Sequence, residues 1–155
     1  MEIQLVVFTL CGEDYGFPIE QVREINRFEE ITPVPKAPEA VLGVINLRGS
    51  VIPVIDLRKE LDLEKGSITQ DSRIVISEVN GETIGVLVDS VSEVIRINSD
   101  LIETDISQLP GMQLDFIRGV GKTDNRLIII LDLEKVLSLE TIAFASNGLS
   151  RGDCC

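Results

Sequence analysis

Residues 43–63 read GVINLRGSVIPVIDLRKELDL, from Gly43 to Leu63, and a version of this stretch occurs twice in the chain. Two apolar runs, Val44 to Leu47 and Val51 to Ile55, flank Arg48-Gly49-Ser50, which predicts a β-hairpin with a short glycine-containing turn. Asp56 then stands where a helix N-cap belongs, ahead of Leu57, Leu61 and Leu63 on a short amphipathic segment. The second version, GVGKTDNRLIIILDLEKVLSL, runs from Gly119 to Leu139 at an offset of 76 positions (Gly43 to Gly119). Without a gap, Gly43 matches Gly119, Val44 Val120, Ile52 Ile128, Asp56 Asp132, Leu57 Leu133, Lys59 Lys135, Leu61 Leu137 and Leu63 Leu139. The first half is a template for the second.

Working outward, LVVFTL (Leu5 to Leu10), the turn Cys11-Gly12-Glu13-Asp14 and Tyr15-Gly16-Phe17 predict an earlier hairpin closed by Pro18. One helical turn at Ile19 to Val22 and an extended piece from Arg23 to Phe28 follow, then a proline-rich loop from Ile31 to Pro38. Arg73 to Ile97 replays this beginning at an offset of 69 positions (Gly12 to Gly81), with Asn80-Gly81 as a strong hairpin signal. The difference between the offsets puts the extra residues of the second half within Asn98 to Arg118, a polar loop with a Pro110-Gly111 turn. Each half therefore carries an early hairpin, an extended segment, a later hairpin and a short helix, about five strands in all. Short twisted strands with apolar inner faces close most easily as small barrels, which leaves no exposed edge. The expected organisation is a first unit over about residues 1–70, a second over about 71–140 and a mobile tail over about 141–155. Each unit alone would be marginal, so the two are expected to share apolar surface.

Composition narrows the function. At 155 residues and 44% apolar, the chain is long enough for a packed core. Its net charge of -12, from 26 acidic and 14 basic side chains, repels nucleic acid and anionic membrane. Aromatic residues make up 4% and tryptophan is absent, which removes the usual base-stacking platform. The apolar runs fall far short of the ~20 residues that cross a bilayer, and the N-terminus lacks signal-peptide character, so a cytoplasmic location is expected. Cys11, Cys154 and Cys155 make no disulfide framework and read as reduced thiols. The terminal Cys-Cys and Arg151-Gly152-Asp153 read as coincidental likenesses to lipidation and adhesion signals.

No motif carries visible chemistry. Gly119-Val120-Gly121-Lys122-Thr123 looks like the end of a phosphate-binding loop, but Phe116 stands where that loop needs glycine and a strand-like LIIIL follows. Asp56 and Asp132 occupy equivalent places in the repeat, and helix caps account for both without a catalytic pair. Histidine is absent and no cysteine or carboxylate cluster has ligand spacing, so neither a metal nor a cofactor is expected. Gly43, Gly49 and Gly85 are assigned to turns or close strand approach. Arg48 has Asp124 as its counterpart, so the duplication did not copy it.

Four blocks taken together, Leu5 to Ile19, Gly43 to Arg58, Gly85 to Ile97 and Gly119 to Leu137, closely resemble the CheW-like family of bacterial chemotaxis coupling proteins. The resemblance spans roughly residues 3–140. It implies an all-β fold of two intertwined five-stranded SH3-like barrels, in agreement with the duplication. It implies an adaptor without enzymatic activity that links the cytoplasmic tip of chemoreceptors to the histidine kinase CheA, whose regulatory domain shares the fold. Carried over by position, the receptor-facing groove includes Val22, Glu24, Ile25 and Arg48, with Val91 and Val94 from the second barrel. An apolar helical stripe would lie in that groove, with Glu24 and Arg48 fixing its register. Kinase contact is expected at barrel ends. A receiver-domain fusion has no room in this chain. The alternatives kept open are a regulatory domain excised from a CheA-type kinase and, from another class, a small-molecule sensor using the cleft between barrels.

Overall fold

The apolar alternation of the N-terminal segment builds β1 (Glu2–Leu10) and β2 (Glu13–Pro18), joined by Cys11 and Gly12 at φ of 51° and 81°. A 3-10 turn, Ile19–Gln21, leads into β3 (Val22–Arg27). The later hairpin is β4 (Val41–Leu47) and β5 (Ser50–Asp56), followed by the one-turn helix α1 (Leu57–Glu60). The second half repeats the series as β6 (Arg73–Val79), β7 (Glu82–Val88), β8 (Ser90–Asn98), the two-residue β9 (Ile102–Glu103), β10 (Ile117–Thr123), β11 (Arg126–Leu131) and α2 (Leu133–Val136). This computed structural model describes residues 1–64, 66–104, 116–123, 125–137 and 144. The expected Pro110-Gly111 turn, Asp124, Leu139 and all of the C-terminal tail except Phe144 lie outside the described residues.

The strands form two sheets, in the orders β8-β1-β2-β11-β10-β9 and β3-β6-β7-β5-β4. These are the two SH3-like barrels of an all-β fold. They interleave the two halves of the sequence. Hairpin β1–β2 belongs to the sheet otherwise made of β8 to β11, and β6–β7 joins β3, β4 and β5. The junctions are the two parallel pairings, β2 with β11 (Gly16 opposite Ile130) and β5 with β7 (Val54 opposite Gly85). The two junctions superpose under the sequence offsets, since Gly85 is the counterpart of Gly16 and Ile130 of Val54. Even the irregularities are duplicated. The ladder slips between Val22 and Glu24 opposite β6, and between Val7 and Phe8 opposite β8, while both later hairpins slip at their first glycine, Gly43 and Gly119. Such bulges bend a strand and increase its twist, which curls each sheet.

Because β1 and β6 are buried on both faces, they feed two kinds of core. Leu5 and Val7 pack with Ile97, Ile128 and Ile130 inside one barrel, and Ile74 and Ile76 with Ile45, Ile52 and Val54 inside the other. The largest cluster joins both sheets, with Phe8, Leu10 and Phe17 packed on the same body of side chains as Val75, Ile84 and Val86. The rings of Phe8 and Phe17 lie 4.7 Å apart. Burying a side chain of this size stabilises by about 1.5–3 kcal/mol, so the shared cluster welds the barrels together.

Candidate functional site

The site is set by what β3 and β8 present beside the shared cluster. On β3, Val22 and Ile25 pair with Ser77 and Val75, and on β8 their counterparts Val91 and Val94 pair with Phe8 and Val6. Val22 and Val91 are half-buried against the shared cluster, whereas Ile25 and Val94 are 37% and 49% exposed. A second duplicated pair, Val51 on β5 and Leu127 on β11, is 55% and 62% exposed. Single exposed apolar residues are ordinary, but four that recur at equivalent positions of two copies are not placed by the demands of burial.

Glu24 and Arg48 come together across the mouth of the first barrel. Arg48 donates from Nη1 to Oε1 at 3.2 Å and from Nη2 to Oε2 at 2.5 Å, a two-pronged bond between β3 and the tip of the β4–β5 hairpin. Hydrogen bonding from Arg48 holds the Glu24 carboxyl below its ordinary range, and the same bond raises Arg48. The turn that carries Arg48 puts it and Gly49 at φ of 50° and 90°, and Gly49 N–H is held by Asn46 Oδ1 at 2.9 Å. Both central residues with positive φ make a turn whose twist matches the strands.

The second barrel rebuilds this clamp from a different position. Glu93, the counterpart of Glu24, accepts from Arg126 Nη2 at 2.7 Å. Arg126 sits two residues beyond the counterpart of Arg48, so a gapless alignment passes over the pairing. The only sequence signal was an arginine close to the turn of the second hairpin.

The remaining singled-out residues hold the frame. Asp56 accepts from Arg58 N–H at 3.0 Å and Asp132 from Glu134 N–H at 3.1 Å, each at the N-cap of its helix. Asp132 also meets Gln21 Nε2 at 3.3 Å and Arg118 Nε at 3.4 Å, while Gln21 Oε1 accepts from Leu133 N–H at 3.2 Å. Gln21 thus ties the 3-10 turn of the first half to α2 of the second. Gly43, at φ of 152°, lies against the Thr32 carbonyl, which a Cβ would overlap, and Gly85 lies against Ile74 and Val54 at the parallel junction. Two residues not singled out in the sequence form the other connection. Arg58 Nε donates to Asp89 Oδ1 at 2.9 Å, Nη2 donates to Oδ2, and Asp89 Oδ2 also accepts from Cys11 N–H at 2.9 Å. Bonding to Asp89 raises the Arg58 guanidinium further above its ordinary value. Among the described residues no group of three or more histidine, cysteine or carboxylate side chains is placed to hold a metal ion, and no helix is long and apolar enough to cross a membrane.

Two SH3-like barrels welded through a common apolar cluster, with ion-pair clamps and outward apolar side chains at duplicated positions, define an all-β double-barrel class. The family model described as the CheW-like domain matches residues 4–141, and the chain belongs to that family. It is 37% identical over 142 residues to "Chemotaxis protein CheW" of Bacillus subtilis (strain 168), covering 89% of this chain and 88% of the relative. It is 34% identical over 142 residues to the protein of the same name from Thermotoga maritima, covering 91% of each. Among solved structures it is similar to "scaffolding protein TtCheW from Thermoanaerobacter tengcongensis", with 40% identity, 91% of each chain covered and a TM-score of 0.80.

Proposed function

We propose that this protein is a non-enzymatic cytoplasmic adaptor of bacterial chemotaxis, which couples the cytoplasmic tips of chemoreceptors to the regulatory domain of the histidine kinase CheA. The observation that carries the reading is the Glu24–Arg48 clamp beside Ile25, with Val94 exposed at the equivalent place on the other barrel. The names of relatives that match over most of their length support it. In this reading an α-helical receptor tip lays its apolar stripe against Val22, Ile25, Val91 and Val94, and the clamp fixes its register. Kinase contact falls on a barrel end. The test mixes the protein with a receptor cytoplasmic fragment and a CheA regulatory domain and measures complex formation by sedimentation. A ternary complex is expected, and Arg48→Glu should lose receptor from it while keeping kinase. Absence of a ternary complex at concentrations where the protein is folded overturns the adaptor reading, and unchanged receptor affinity in Arg48→Glu overturns the groove.

A further inference from the structure

A cleft of about 470 Å³ opens on the second barrel between edge strand β8 and the tip of the β10–β11 hairpin, lined by Glu93, Ile95, Arg96, Thr123, Asn125 and Arg126. A neighbouring hollow of about 460 Å³ shares Thr123, Asn125 and Arg126 with it and adds Lys122 and Leu127. In a chain of net charge -12 this is an unusual place to find three cations. Arg126 is engaged by Glu93 and Asp14, but Arg96 and Lys122 have no ion-pair partner among the described residues. Both lie on the outer face of their sheet, since their ladder partners are Gln4 and Leu127, whereas Leu5 and Ile128 on the neighbouring rungs point into the barrel.

The other barrel shows that this arrangement is not a by-product of the fold. The counterpart of Lys122 is Asn46, whose side chain satisfies the turn at Gly49 N–H, and that of Ile95 is Asn26. A lysine cannot accept that bond, so turn geometry does not explain Lys122. β9 pairs with β10 at Val120 and Gly121, and the 3-10 turn Ser99–Leu101 that precedes β9 packs beside β10 next to Lys122.

We infer that this cleft and the hollow beside it form a docking site for a short acidic peptide of a protein partner, whose carboxylates meet Arg96 and Lys122 while an apolar side chain rests on Leu127. The unpaired cations set the sign of the partner. A duplex or an anionic membrane would confront the whole acidic surface, whereas a peptide within the cleft meets mainly the local charges, because the field of a charge is screened out over ~8 Å at physiological salt.

The test uses the full chain and a fluorescein-labelled octapeptide, Glu-Glu-Leu-Glu-Glu-Leu-Glu-Glu, with its lysine counterpart, followed by anisotropy at low and high salt. The acidic peptide should bind, more weakly as salt rises, and the lysine peptide should not compete. Arg96→Glu with Lys122→Glu should weaken binding at least ~10-fold, while Arg27→Glu, at the counterpart of Arg96, leaves it unchanged. Should the double variant fold poorly by melting temperature, Lys122→Gln and amide-shift mapping on the native chain replace it, with shifts expected at Arg96 and Lys122. Equal binding of both peptides, equal loss in Arg27→Glu, shifts elsewhere, or displacement by inorganic phosphate as a small-anion site would each overturn the inference. Receptor-fragment binding measured on Lys122→Gln, which is remote from β3 and β8 in the chain, should be unaffected, which separates this result from the fate of the receptor groove.

Discussion

Glu93 is bonded to Arg126 at 2.7 Å just as Glu24 is to Arg48, yet the two arginines do not occupy equivalent positions. The carboxylate is the inherited member of each pair, and each hairpin supplies its own cation from whichever turn position reaches across the mouth. If the clamp acts by holding the hairpin against β3, sign is interchangeable. Glu24→Arg together with Arg48→Glu should then recover most of the receptor affinity that Arg48→Glu loses, measured by titration with a receptor fragment. Failure of the swap to rescue means that Arg48 itself touches the partner.

The same pair sets a pH dependence. Because Arg48 lowers the Glu24 carboxyl from its ordinary value, the clamp is fully formed above that value and is lost only as pH falls through the lowered one. Carboxyl carbon NMR should show Glu24 titrating below an ordinary glutamate, and Arg48→Ala should move it back up. An unchanged titration would mean that the bond is not populated in solution.

Two glycines separate cramped space from backbone freedom. At Gly43 a Cβ would overlap the Thr32 carbonyl, so Gly43→Ala is expected to cost about 3 kcal/mol or more, read from urea unfolding. Gly49 has φ of 90° but open space around it, and Gly49→Ala should cost only about 1–2 kcal/mol. Equal costs would show that the chain yields at the Thr32 contact.

Ser77 is fully buried and its hydroxyl has no hydrogen-bond partner among the described residues, at the position where the first half has Phe8. An unmatched buried hydroxyl costs about 1–3 kcal/mol. Ser77→Ala should therefore raise stability by about 1 kcal/mol in thermal unfolding, and a loss of stability would reveal a hidden partner.

Asp89 gathers Arg58 and the Cys11 N–H, linking α1, the first turn and the end of β7. Asp89→Ala is expected to destabilise by about 1–2 kcal/mol, since it strips a partly buried guanidinium and a backbone donor together. Asp89→Asn should recover part of the loss in the same melt.

Local signals made the hairpins and caps legible. Asn80-Gly81, Cys11-Gly12 and Arg48-Gly49 are turns the sequence announces, and both helices begin at their aspartates. The duplication was legible because the buried residues Ile52, Leu57, Ile128 and Leu133 had to be kept in both copies. Partner exchange between sheets was implied by family resemblance alone. The parallel pairing of Gly16 with Ile130 joins residues far apart in the chain and leaves no short-range pattern. The Arg126 clamp, the Gln21 tie and the Arg58–Asp89 bond were illegible for the same reason, since each joins segments that no periodicity connects.

The interleaving of the sheets imposes an order on assembly. Every strand of the β3-β6-β7-β5-β4 sheet lies between Val22 and Val88, so its pairing is complete once Val88 has left the ribosome. Hairpin β1–β2, the first made, must wait for β8 and β11 before its flanks are covered. The N-terminal segment is therefore the last to be enclosed, and its long wait as an open-edged apolar ribbon makes it the part of the nascent chain most in need of a chaperone.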